Sequence, residues 1–183
     1  MDVFVEHMVK RRPTGKDIAL MILYALLAAI IFIFGVFFSG ALLGPFSFVG
    51  AFVGVAALFG AYYLISNMSI EYEYIVTNGE IDVDKIMAKR RRKRLLTANA
   101  RTFESFGLFR QQDHAGKDYT SRVYASESMD ESTSYYAVFT HAKLGKTLLV
   151  FTPDDRVLDA LKKYIPWQAG GNANYPVRES VQP

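Results

Sequence analysis

The chain has 183 residues, of which 51% are hydrophobic and 21% are charged. It contains no cysteine, which excludes disulfides, thiolate metal sites and cysteine nucleophiles. Its net charge of +3 is too small to indicate a polyanionic partner, so the placement of the charges matters more than their sum.

The first 17 residues form a basic approach to a long apolar stretch. The apolar residues in Phe4–Val9 follow helical spacing, which predicts a short interfacial helix within residues 1–17. A frayed terminus and a strand docked on the following domain are the alternatives. Pro13 ends this segment, and Thr14 three residues before Asp17 predicts a capping box for the next helix.

No Asp, Glu, Lys, Arg or His occurs between Ile18 and Ile70. About 20 apolar residues suffice for a helix to cross a bilayer core, and the stretch predicts two transmembrane helices, 18–38 and 46–65, in a hairpin over 18–67. Lysine and arginine flank the hairpin on both sides and are absent from its loop. This pattern predicts a two-pass protein of the cell membrane with both termini cytoplasmic. The lack of charge within the spans argues against a transporter or pump.

The second predicted span contains a GxxxG motif formed by Gly50 and Gly54. Small residues at this spacing let two helices approach closely. The motif therefore predicts helix–helix packing, either between two copies of the chain or against the first span of the same chain.

A β domain is predicted over residues 68–166, where the hydrophobic period changes to two. Asn78-Gly79 between two alternating runs predicts a hairpin. Further strands are predicted over 93–98, 102–110, 119–126, 134–141 and 146–151. One helix follows, with Thr152 as its predicted N-cap and Pro153 at its first position, and then a disordered tail over 167–183. About seven antiparallel strands and one C-terminal helix are typical of a mainly-β barrel.

Three stretches of the β domain carry a resemblance: Tyr74–Ile81 around the Asn-Gly turn, the basic run Lys89–Arg94, and Phe151–Leu161 at the last helix. Through them the domain resembles a bacterial pleckstrin-homology-like domain. With the opening Asp2–Glu6 and the two spans added, the chain is similar to an uncharacterised family of small two-span membrane proteins from Gram-positive anaerobes. The resemblance implies a pleckstrin-homology-like barrel at the membrane, and it brings no activity, cofactor or site residue.

Six consecutive cations precede the third predicted strand: Lys89, Arg90, Arg91, Arg92, Lys93 and Arg94. Near an anionic leaflet each could contribute about 1 kcal/mol of attraction, so the run is a candidate lipid-binding site. The alternative is a solvated turn that only fixes topology. Nucleic acid is a disfavoured partner because no aromatic residues are interleaved with the cations.

No catalytic residue, metal ligand set or cofactor motif is predicted. The three histidines are far apart in sequence, and Asp82 and Asp84 are assigned to the solvated face of a strand. The sequence therefore predicts a non-enzymatic binding or scaffold module anchored in the membrane, with a protein partner or a homo-oligomer as its further contacts. An anionic-lipid sensor is the alternative. A small membrane enzyme is least favoured, and it would show a polar cleft with converging titratable groups.

Overall fold

The computed structural model describes residues 3–128 and 133–170, with the backbone alone for 40–43 and 45. The chain forms two compact units, of which Pro13–Ile70 is one and the rest of the described chain is the other. The helical unit is therefore inserted into the sequence of the β unit, after the first twelve residues.

Two helices make up the inserted unit: α1 over Gly15–Leu43 and α2 over Phe48–Asn67, joined by a 3-10 turn at Gly44–Phe46. The capping box is confirmed, because Thr14 and Asp17 each accept a hydrogen bond from the other's backbone N–H. Helix α1 continues beyond the predicted residue 38 to Leu43, and it ends at the C-cap Gly44, which has a φ of 53° and precedes a proline. Both helices are long and apolar enough to cross a membrane.

Gly50 and Gly54 are buried on α2 and lie against α1. A methyl group at Gly50 would overlap the carbonyl oxygen of Gly35, and one at Gly54 would come within 2.9 Å of the Phe32 ring. The close contact between the two helices at this point therefore requires glycine, which has no side chain, at both positions. This geometry favours packing within one chain, while dimerisation through the same motif stays a prediction.

The β unit contains two four-stranded sheets. The first has the order β1-β2-β3-β4, with β1 at Phe4–Lys10, β2 at Ile70–Thr77, β3 at Glu80–Met87 and β4 at Arg91–Asn99. The second has the order β5-β7-β8-β6, with β5 at Phe103–Leu108, β6 at Ser121–Ala125, β7 at Tyr135–His141 and β8 at Gly145–Phe151. Helix α3 at Gln111–His114 lies between β5 and β6, and α4 at Asp155–Lys162 follows β8. Further 3-10 turns occur at Ala100–Thr102 and Trp167–Ala169.

The interfacial helix predicted near the N-terminus is wrong, because these residues form strand β1, as the docked-strand alternative proposed. It pairs antiparallel with β2 along its whole length, from Phe4 opposite Thr77 to Lys10 opposite Glu71. As a strand, the segment divides its apolar residues between two faces, with Phe4 and Met8 exposed and Val9 buried, so its spacing favoured a helix. The partner strand lies about 60 residues away in sequence, beyond the reach of local patterns.

The predicted single barrel of seven antiparallel strands also needs correction. The described residues form eight strands in two sheets, and neither sheet closes on itself. Strand β6 runs parallel to β8, and β7 lies on the other side of β8. Local sequence patterns carry no signal for this strand order.

The end of the domain differs from the prediction in two places. The N-cap of α4 is Asp154, whose carboxylate accepts a hydrogen bond from Val157 N–H at 2.9 Å. Thr152 instead accepts from Glu127 N–H at 3.2 Å. The predicted disordered tail begins with the ordered 3-10 turn at Trp167–Ala169, and its residues 171–183 lie outside the described chain.

The core lies between the two sheets, with α4 against one end. The predicted hairpin is confirmed: Asn78 and Gly79 join β2 to β3 with φ values of 50° and 89°. Tyr74 and Phe151 meet edge to face across the sheets, with ring centroids 5.6 Å apart. The buried Tyr74 hydroxyl donates to the carbonyl of Ala125 and accepts from Thr152 N–H, so its polar atom is satisfied.

Candidate functional site

The basic run lies on the hairpin between β3 and β4. Its turn is closed by a 3.1 Å hydrogen bond from Arg90 N–H to the Met87 carbonyl, with Ala88 and Lys89 at φ values of 52° and 55°. Residues other than glycine adopt this left-handed conformation at a cost of about 1–2 kcal/mol each. Neither position carries glycine or asparagine, so the turn lacks the residues that usually mark this conformation in a sequence.

Two of the six cations pair with carboxylates on the outer face of the first sheet. Arg92 Nη2 lies 2.8 Å from Glu73 Oε1. Arg94 Nε lies 2.6 Å from Asp84 Oδ1, and its Nη1 lies 2.7 Å from Asp82 Oδ2. These two arginines are therefore already occupied within the fold.

A bulge in β4 produces this pairing. Val83 lies opposite Leu96, but Asp84 lies opposite Arg94, so Leu95 is an extra residue on β4. An extra residue shifts the side-chain alternation of one strand against its partner. The arginine is thereby brought opposite the aspartate, which the sequence alone did not show.

Two carboxylates of this outer face are buried, and one of them, Asp84, contradicts the solvated face assigned to Asp82 and Asp84 from the sequence. Glu73 is 1% exposed and Asp84 is 2% exposed. Burial raises the pKa of the Glu73 carboxyl, the charge of Arg92 opposes that rise, and nearby Glu6 and Asp84 reinforce it. The arginines above these groups therefore have a structural role, because a buried carboxylate without a partner is costly.

The other four cations of the run are Lys89, Arg90, Arg91 and Lys93. All four side chains are exposed, and none forms an ion pair with another residue in the described parts of the chain. They are therefore available to an external anion. Lipid binding by the six-residue run stays a prediction, and the ion pairs divide the run into two paired and four unpaired cations, which spacing alone could not reveal.

The basic turn lies at one particular end of the first sheet. Strand β1 ends at Lys10, opposite Glu71 near the start of β2. Strand β3 folds back along β2 from the Asn78-Gly79 turn, so its last residue, Met87, returns to the same end. The chain thus enters and leaves the apolar helical unit at the end of the sheet that carries the basic turn.

A polar cleft of about 430 Å³ lies on the outer face of the second sheet, apart from the basic turn. It is lined by Glu104, Ser105, His114, Lys117, Asp118, Tyr119, Tyr136, Val138 and Lys146. Titratable groups of both signs converge here, which is the feature named above as the mark of an enzyme. The sequence did not predict this cleft, because strands and a loop distant in sequence form it together.

Two separate hydrogen-bonded pairs occupy the cleft. His114 Nδ1 lies 2.8 Å from the Tyr119 hydroxyl, and Ser105 Oγ lies 2.9 Å from the Tyr136 hydroxyl. A serine nucleophile requires a bond to its base, whereas Ser105 and His114 each bond to a tyrosine instead. The imidazole also stacks on Phe109, with ring centroids 5.5 Å apart, so it packs as part of a small aromatic cluster.

His114 is expected to make the stability of the domain depend on pH. Burial lowers the pKa of this imidazole from 6.5, and the charges of Lys117 and Arg122 lower it further, against an opposing effect of Asp113. Below pH 6.5 the unfolded chain then binds more protons than the folded one, so the free energy of unfolding should fall as the pH falls. His114→Gln should flatten that slope in denaturant titrations at pH 5 to 8, and an unchanged slope would contradict this assignment.

The three histidines are not brought together. His7 Nδ1 lies 3.4 Å from the carboxylate of Asp154 beside α4, His114 lies in the polar cleft, and His141 accepts hydrogen bonds in the β7–β8 turn. Among the described residues no group of three or more potential ligands could hold a metal ion.

Comparison with known families decides the affiliation of the chain. The family described as bacterial PH-like domain (DUF6106) matches residues 1–170. The chain belongs to this family. The match covers the apolar helices as well as the sheets, so the two-helix insertion lies inside the matched region.

The same comparisons found no matching curated protein and no matching solved structure. PH-like domain families are typically non-enzymatic. The affiliation therefore agrees with the resemblance stated above and fits a non-enzymatic module of two apolar helices and mainly-β sheets.

Proposed function

We propose that this PH-like protein is a membrane-anchored, non-enzymatic binding module. Its apolar hairpin crosses the cell membrane twice, both flanks of the hairpin are cytoplasmic, and the basic end of the first sheet lies on the anionic inner leaflet. The four exposed cations of the basic turn would together contribute about 4 kcal/mol of attraction to such a surface.

The pairing of β1 with β2 carries this proposal. Lys10 precedes the helical unit, Glu71 follows it, and the two residues are directly opposite each other in one sheet. Strands that are hydrogen-bonded neighbours must lie in the same compartment. An insertion that crosses a membrane between them must therefore cross an even number of times, which the two helices satisfy. This support is independent of the flanking charges.

Labelling of single cysteines tests the topology, and the cysteine-free chain provides an unlabelled background. Ser47→Cys places a thiol between the helices, and Lys143→Cys places one in the β7–β8 turn. We expect a membrane-impermeant maleimide to label residue 47 in intact cells and residue 143 only after permeabilisation. Labelling of residue 143 in intact cells would refute the proposed orientation.

A protein partner is the second proposed contact, and exposed Trp167 supports it. This side chain is 75% exposed, and tryptophan is among the residues enriched at the energetic centres of interfaces. Nearby Tyr164 packs against Gly79, in the turn at the opposite end of the first sheet from the basic run. Trp167 is thus available to a protein partner while the basic end of the sheet contacts lipid.

A photo-crosslinking amino acid at position 167 tests for this partner in cells. A reproducible adduct is expected, and its mass distinguishes a second copy of the chain from another protein. The same amino acid at exposed position 143 is the matched control. Adducts that are absent, or equal at both positions, would remove the support that Trp167 gives to a scaffold role.

A further inference from the structure

A groove of about 450 Å³ opens on the outer face of the first sheet, beside the basic turn. It is lined by Met8, Val9, Lys10, Glu71, Ile86 and Lys89. All six belong to the β unit, and they come from three neighbouring strands and the turn that follows the third. The groove therefore lies at the end of the sheet where the chain leaves for α1 and returns from α2.

The groove combines an apolar floor with cationic edges. Met8 and Ile86 supply the apolar surface, and Met8 is 58% exposed. Lys10 and Lys89 supply the cations, and neither forms an ion pair with another residue in the described segments. Apolar surface exposed to water is unfavourable, and an amphipathic ligand bound in the groove would cover it.

The charges of the lining select the ligand further. Two lysines and Glu71 leave a net charge of +1 at neutral pH. This matches the single negative charge of a phosphodiester better than the double charge of a phosphate monoester. The exposed cations of the adjacent turn, such as Arg90, would repel a choline headgroup, so a lipid without a headgroup cation fits best.

We propose that this groove binds one anionic glycerophospholipid. Its phosphodiester lies between Lys10 and Lys89, and the first part of an acyl chain covers Met8 and Ile86. This inference rests on the proposed membrane anchoring and adds to it a defined site with a stoichiometry of one. The remaining cations of the turn contribute general attraction to the leaflet.

The test uses the full chain in a mild detergent, titrated with dioctanoyl phosphatidylglycerol and followed by native mass spectrometry. One lipid is expected to bind more tightly than any further copies. The double variant Lys10→Gln/Lys89→Gln should bind it about 30-fold more weakly, equivalent to about 2 kcal/mol. Dioctanoyl phosphatidylcholine should bind more weakly than phosphatidylglycerol because its headgroup carries a cation. Glycerol 1-phosphate should also bind more weakly because it has no acyl chain to cover the apolar surface.

The matched control is Lys143→Gln/Lys163→Gln, which removes the same charge from two exposed lysines of the β unit that lie outside the groove and outside the basic turn. It should retain the tight lipid, while both double variants keep the thermal stability of the parent protein. Equal losses of lipid affinity in the two variants, or no preference over phosphatidylcholine, would refute lipid binding in the groove. Neither result would affect the proposed topology. Tight binding of glycerol 1-phosphate would overturn the lipid assignment in favour of a free phosphate.

Discussion

Replacing residues 11–70 with an Asn-Gly turn is expected to give a soluble and folded PH-like domain. Lys10 and Glu71 are opposite each other in the β1–β2 pair, so a two-residue turn can join them directly. The corresponding fragment that begins at Glu71 should fail to fold, because its free energy of unfolding should be lower by more than about 4 kcal/mol. Circular dichroism and proton-resonance dispersion of both proteins provide the measurement.

Strand β1 contributes several contacts at once to this expected loss. It covers the edge of β2, buries Val9 to 7% exposure, and joins Val3 to Asn78 through hydrogen bonds in both directions. Its His7 also contacts Asp154 beside α4. Co-expression of residues 1–12 as a separate peptide should partly restore folding. A stable fragment without β1 would show that the strand is accessory to the fold.

Arg94→Met is expected to destabilise the domain by about 3 kcal/mol. The substitution removes the guanidinium that bonds Asp84, whose side chain is 3% exposed, and leaves a buried carboxylate without its partner. The Asp82 bond is lost as well. Denaturant unfolding of the soluble fusion, or thermal unfolding of the full chain in detergent, gives the difference.

Lys93→Met is the matched control for this prediction. The side chain of Lys93 is also exposed and forms no ion pair in the described chain, so the free energy of unfolding should change by less than about 0.5 kcal/mol. Adding Asp84→Asn to Arg94→Met should recover part of the loss, because it removes the uncompensated charge. If the two methionine variants behave alike, the division of the basic run into structural and available cations is wrong.

Much of the fold follows from local patterns in the sequence. Strict alternation around Asn78-Gly79 predicts β2 and β3, because a two-residue turn and a period of two are both local signals. The start of α1 follows from the capping box at Thr14 for the same reason, whereas its C-terminal end lies beyond the predicted residue 38. Uninterrupted apolar composition is sufficient to identify the two long helices.

What the sequence could not predict depends on pairing over long distances. The assignment of residues 4–10 to a strand depends on a partner beyond the whole helical unit. The separation of Arg92 and Arg94 from the other cations depends on one bulged residue, Leu95, and on buried carboxylates of β2 and β3. The cleft beside His114 likewise requires the packing of a loop on the second sheet.

The discontinuous β unit also constrains the order of events during synthesis. Strand β1 leaves the ribosome before β2 and has no partner until β2 emerges. At about 5–20 residues per second, the 60 intervening residues take several seconds. Under the proposed two-pass topology, the apolar helices are available for membrane insertion during this interval, before the sheet can close. A chain that inserted with a single crossing would hold β1 and β2 on opposite sides, unable to pair. Completion of the domain would thus act as a check on correct insertion of the hairpin.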